Sequence, residues 1–180
     1  TEITAADAPP GNGSNLRLRM SLTVATTTML ASSTQFKLQY GVRTSTCGAI
    51  GSWADLGAPG SGAQWRGFNA APADGSNIST SSPMAGELLL SVSDRAGLYQ
   101  ESNNAVLNPF ATAVGEDVEY DWNIQNNNAA TDTPYCFRMT KADGTVFNDY
   151  SASYPTVRTA GYTAESKNWR WYDDENNRSE

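Results

Sequence analysis

The 180-residue chain contains no histidine. The side chain that most often carries a proton at neutral pH is therefore missing, and neither a Ser–His–Asp nor a Cys–His arrangement can be assembled. Glycoside hydrolysis needs only two carboxylates, and Glu87, Asp94, Glu116, Asp117, Glu119 and Asp121 are the candidates. Four of them crowd the alternating stretch EDVEYDWNIQN. There Glu119 and Asp121 take the parity opposite to Val118, Tyr120, Trp122 and Ile124. That is the pattern of a solvated strand face, so no catalytic pair is assigned and the chain is expected not to be an enzyme.

Two other groups could bind something. Asp173, Asp174 and Glu175, followed by two asparagines, supply the oxygen ligands that Ca2+ prefers, although without the spacing of an EF-hand. Calcium stiffening a linker is the sharp reading, and a solubilising linker is the plain one; no other cofactor is expected. Trp53, Trp65, Phe68 and Tyr99 stand in or beside loops, where exposed rings would form a platform for a glycan. The plain alternative is that Trp65 and Phe68 anchor their own loop. Lys37 and Lys141 could in principle bond covalently to an asparagine, but Lys37 has the outward parity of its strand.

The two cysteines, Cys47 and Cys136, lie far apart with no CxxC pair between them. Zinc or redox use is not expected. A disulfide is, with two buried thiols as the alternative, and a disulfide would place the protein outside the cytoplasm, secreted or on the cell surface. The formal net charge of −7 and the scatter of only 12 basic residues argue against nucleic acid as a partner. No apolar run of membrane length occurs, so membrane insertion is not expected. The chain begins at Thr1 without a signal peptide, as a mature or excised fragment would.

The elements that must position these residues are strands. Charged residues make up 17 % of the chain, below the usual quarter or so, and Ser, Thr and Asn fill the gap. These residues compete with a helical backbone. Residues 1–14 read as a linker or lead-in. Leu16, Leu18, Met20, Leu22 and Val24 share one parity; Phe36, Leu38, Tyr40 and Val42 share another in QFKLQYGVRT. Shorter candidates are SWADL, ELLLSVS, GLYQESN and SYPTVRTA, and residues 57–83 read as a long loop pinned by Trp65 and Phe68. Asp143–Gly144 marks a tight turn after YCFRMTK. Seven to ten strands without a helical period imply an all-β sandwich over residues 15–160. Residues 161–180 would form a linker and a C-terminal strand with Trp169 and Trp171 on one face and Arg170 and Tyr172 on the other.

The closing stretch YCFRMTKADGTVFNDYSASYP resembles the last hairpin of an immunoglobulin-like antiparallel sandwich with long loops, with Tyr135 and Cys136 near the start of its first strand. More broadly, WRWYDDE, LRLRMSL, FKLQY and YCFRMTKADGT are similar to motifs of repeats in large bacterial extracellular surface proteins. In that family the aromatic-Arg-Trp-Tyr strand opens a repeat and the LRLR strand follows an acidic linker. Here the order is offset, with LRLR near the front and WRWY at the back. The resemblance implies a structural part of a surface fibre or adhesin stalk. Its Trp169–Tyr172 strand could fold in cis, belong to a following domain, or fill the open edge of a neighbouring copy head-to-tail. The expected partners are copies of itself, and the second reading is a carbohydrate-binding module.

Overall fold

The computed structural model describes residues 9–70, 73–76, 95–102, 106–147 and 154–161. Two β-sheets pack face to face. The first is built on β7 (Asp117–Asn126), which pairs antiparallel with β1 (Asn15–Thr23) along its full length, Asn15 opposite Gln125 and Thr23 opposite Asp117. The second is built on β2 (Gln35–Val42) and β8 (Pro134–Lys141), antiparallel with Phe36 opposite Lys141 and Val42 opposite Tyr135.

Both sheets fill one lane with two short pieces placed end to end. On β7, β4 (Trp65–Gly67) pairs with Ile124–Asn126, and β5 (Arg95–Gln100) continues the lane along Val118–Trp122. On β2, β3 (Ala54–Asp55) pairs with Gln39 and Tyr40, and β6 (Val106–Leu107) with Gln35 and Phe36. β9 (Thr156–Arg158) closes the far side of β8. The pairings β1–β7–β4 and β3–β2–β8–β9 follow the immunoglobulin-like order B–E–D and C′–C–F–G. The sandwich expected from the sequence is thus present.

Its core comes from the apolar parities of the long strands. Leu38, Val118, Tyr120, Trp122, Ile124, Tyr135, Phe137 and Met139 are all buried. Trp65 meets Tyr135 and Phe137 edge-on, with ring centroids 5.6 and 5.1 Å away, and Phe36 reaches across the sandwich to Tyr120 at 5.2 Å. Tyr135 also serves as a corner, its hydroxyl accepting from the Ala130 N–H at 3.0 Å.

Several details depart from expectation. β5 runs parallel to β7; alternation has the same period in either direction, so it cannot reveal strand sense. Trp65 belongs to β4 rather than to a loop. Val42 ends β2 exposed instead of facing inward. Residues 145–147, directly after the turn at Gly144, form no strand, although the closing stretch resembles a hairpin; Gly144 itself has a positive φ. ELLLSVS lies outside the described residues.

The sandwich has two distinct poles. Pro10 accepts a hydrogen bond from the Ala160 N–H at 3.1 Å, and Gly13 and Ser14 bond to Asn126. The lead-in and the end of β9 therefore meet at one pole, with the β7–β8 turn. The β1–β2 loop, β6 and the β6–β7 loop form the opposite pole, joined by the Met29–Thr112 bridge and by Val24, Gly115 and Glu116.

Candidate functional site

Five regions of the molecule bear on function: the two outer faces, the β1 edge and the two poles. On the outer face of the first sheet, Glu119 and Asp121 are wholly buried, a correction to the solvated face expected for them. Arg17 reaches Asp121, Arg19 reaches Asp121 at 3.1 Å and Glu119 at 3.3 Å, and the Arg17 guanidinium lies 4.9 Å from the centroid of the Tyr99 ring. β5 and the segment around Phe68 flank β7 on the side away from β1. The Asn123 side chain donates to the Phe68 carbonyl at 2.6 Å, and Glu101 takes the Ala70 N–H. Gly67 has to be glycine, because a Cβ there would overlap the Glu101 carbonyl. Burial first, and then the Glu101 carboxylate beside it, push the Tyr99 hydroxyl up to about 12.

This arrangement fixes two of the four sugar-platform residues. Trp65 and Tyr99 are buried and present no ring face to a glycan; Phe68 is half-buried. Loop composition had suggested exposure, but β4 turns the Trp65 ring into the core and β5 lays the Tyr99 ring against Arg17 on the outer face, where it too is buried. The carboxylates are likewise committed to arginines, and Glu116 pairs with Arg95 at 3.2 Å. Glu87 and Asp94 lie outside the described residues, as do Trp169, Arg170, Trp171, Tyr172, Asp173, Asp174 and Glu175. Among the described residues no three carboxylate, cysteine or histidine groups converge as a metal site.

The outer face of the second sheet carries a ladder. Lys37 donates to Asp55 at 2.9 Å, Gln39 donates to the same carboxylate at 2.8 Å, and Arg138 donates to Gln39 at 2.9 Å. The Arg138 guanidinium lies 4.2 Å from the centroid of the Trp53 ring, which stacks on Tyr154 at 5.7 Å. Trp53 and Tyr154 are half-buried. Burial alone would raise the Asp55 carboxyl, but hydrogen bonds from Gln39 and Lys37, with the Lys37 charge, bring it below its ordinary value. No sequence signal links Trp53 to Tyr154, about a hundred residues away; only the β2–β8 register brings them together.

The same face holds the disulfide. Cys47, in a 3-10 turn (Cys47–Ala49), is bonded to Cys136, which shares the outward parity of Arg138. Opposite Cys136 in register stands Gly41, where a Cβ would come within 2.8 Å of the Ile50 side chain. The missing side chain lets the tethered loop lie flat on the sheet.

At the edge of the first sheet, β1 has β7 as its only strand partner among the described residues. Leu18 is buried, whereas Leu16, Met20 and Leu22 pack against the core yet remain half-covered. In the immunoglobulin-like order the lane beside β1 is that of the A strand.

At the chain-end pole an open cavity of about 620 Å³ lies among Pro10, Asn12, Asn126, Ala130, Thr159 and Gly161, with no charged side chain in its lining. The opposite pole is apolar. Leu30 is 64 % exposed, Val114 51 %, Phe110 43 % and Leu107 41 %. The buried Asn108 holds this pole in shape: its amide oxygen accepts from the Ser33 and Thr34 N–H groups, and its NH2 donates to the Leu30 and Phe110 carbonyls. No described helix is long and apolar enough to cross a membrane. No protein-family model matches the chain, and no curated protein and no solved structure matches it.

Proposed function

We propose that the chain is an extracellular structural subunit or repeat that joins head-to-tail with its copies, as in a surface fibre or adhesin stalk, by completing the lane beside β1 with a strand. The observation that carries this reading is the half-covered row Leu16, Met20 and Leu22 on a nine-residue strand that stands at the end of its sheet among the described residues. A long edge strand with an unfinished apolar side is a template for another strand unless something covers it. The disulfide supports an extracellular setting.

The strand proposed to fill the lane is Trp169–Tyr172, whose alternation offers Trp169 and Trp171 on one side. Burying a large side chain contributes roughly 1.5–3 kcal/mol each, and the main-chain ladder adds direction. The test is light scattering and negative-stain microscopy of the full chain beside the double variant Trp169→Ala/Trp171→Ala. Long assemblies that disappear in the variant support the reading; assemblies of unchanged length in the variant would sink it.

A second reading, binding of a glycan, draws on the half-buried Trp53 and Tyr154 beside Arg138, Gln39 and Asp55. A polysaccharide pull-down in which binding is lost with Trp53→Ala would favour it.

A further inference from the structure

Resting on the strand-acceptor reading, we infer that the strand comes from a second copy, enters the lane antiparallel to β1 at its Thr23 end, and brings the chain-end pole of the donor onto the apolar pole of the acceptor. The argument begins with reach. Gly161, the last described residue, lies beside Pro10 at the pole where β1 begins. Seven residues separate it from Trp169, so the eight Cα-to-Cα steps span at most about 29 Å. β1 itself is about 27 Å long. A tail running antiparallel beside the whole of its own β1 would first have to travel that distance and turn, and fully extended it would have less than one residue left for the turn before Trp169.

Running parallel from Gly161 is possible within the same reach, but it sets Tyr162 to Asn168 against the lane. That segment, YTAESKN, has no alternating apolar row to face Leu16, Met20 and Leu22. The aromatic strand would arrive only at the Thr23 end and overshoot it. In a neighbouring copy the difficulty disappears. An antiparallel strand enters at the Thr23 end, and the donor's seven-residue spacer needs only to cross the joint between the two molecules.

The surface at that entrance is an independent observation. Of the six large apolar side chains that are exposed among the described residues, Leu30, Leu107, Phe110, Val114 and Val146 lie at the Thr23 pole, and Val42 alone at the other. Exposed apolar side chains gathered on one surface mark an interaction site. The hydrogen bonds of Asn108 hold the Leu30 and Phe110 loops in one shape, so little conformational freedom is lost on docking. The pole that must face it, where the donor strand leaves, has a cavity lined by alanines and asparagines, Ala129, Ala130, Asn126 and Asn128 among them, with no charged side chain among the described residues of its lining. An apolar knob against an uncharged hollow is the pairing expected in a heterologous, non-closing contact.

Two full-length variants test this. Leu30→Asp/Phe110→Asp spoils the acceptor pole with two exposed changes that leave the core untouched. Trp169→Ala/Trp171→Ala spoils the donor strand. Each alone should lower the association constant at least tenfold. Mixed, they should form a one-to-one pair and nothing longer, because one intact donor and one intact acceptor remain. Lys37→Glu, on the side of the molecule, should leave association unchanged. If Leu30→Asp/Phe110→Asp associates like the parent while the tryptophan variant does not, the pole-to-pole contact is wrong and the strand lane survives. A monomeric parent whose melting temperature falls in the tryptophan variant places the strand in cis and overturns the inference. A monomeric parent indifferent to both tryptophans overturns the strand-acceptor reading as well.

Discussion

β2 and β7 carry the same alternation of apolar and polar residues, yet their outward faces end in different surroundings. Along β7, Glu119, Asp121 and Asn123 are buried, with β5 and the Phe68 segment alongside, and charge is met by charge from Arg17 and Arg19. Along β2, Lys37 and the buried Gln39 bond to Asp55, whose carboxylate is exposed, and the cover is a loop held by a disulfide. Alternation thus fixes which side of a strand a residue takes, while the lanes and loops laid over that side decide whether it meets water.

The comparison can be broken or sharpened by a descending series of changes. Replacing both cysteines by serine should cost about 4–5 kcal/mol in denaturant unfolding, since the bridge closes a long loop. A loss under about 1 kcal/mol would mean that Gly41 and Ile50 hold the loop without it. Asp121→Ala should cost about 3–5 kcal/mol, because it strips two partly buried arginines of a shared partner. If it costs no more than an exposed pair, the first face is as wet as the second. Trp53→Ala should cost about 1–2 kcal/mol through the lost ring stacking and the Arg138 contact, measured by thermal melting.

The smallest effects at neutral pH separate the faces by opposite limbs of a pH titration. Asp55 titrates below its ordinary value in the fold. Its contribution is present above the unfolded pKa and disappears as pH falls through the folded one. Asp55→Asn should therefore cost under about 1 kcal/mol at pH 7 and converge with the parent in acid. Tyr99 shifts the other way, from 10.0 to about 12. Its contribution is intact below pH 10 and lost as pH rises toward 12, because the unfolded chain ionises first. Tyr99→Phe should flatten the alkaline limb; an unchanged slope there would show that Tyr99 titrates as if exposed.

The long strands were legible because three runs of eight to ten residues alternate without interruption, and the disulfide because the two cysteines had no other chemistry within reach. What escaped the sequence was everything set by lateral neighbours. Trp65 sits in a Gly/Ala/Ser-rich stretch whose local composition says loop, and only the three-residue β4 ladder on β7 makes it a core residue. Glu119 and Asp121 look solvated until Arg17 and Arg19 from β1, with Tyr99 of a parallel strand that has no signature of its own, close around them. Of the proposed sites, Trp53 lies at the surface, whereas its partners Arg138 and Tyr154 come from strands or loops far along the chain. Asn108, which shapes the apolar pole, carries no local pattern at all.

The disulfide also sets how far the molecule can be stretched. If tension were applied through Pro10 and Gly161, the chain enclosed between Cys47 and Cys136 could not be drawn out, since the bond joins its two ends. Only residues 10–46 and 137–161 would lengthen. Full extension would then release roughly 200 Å of contour, against roughly 500 Å if the bond were reduced. Each copy in a loaded chain would give way by a short, fixed step while most of its core stayed inside the covalent loop, ready to recoil when the pull ended.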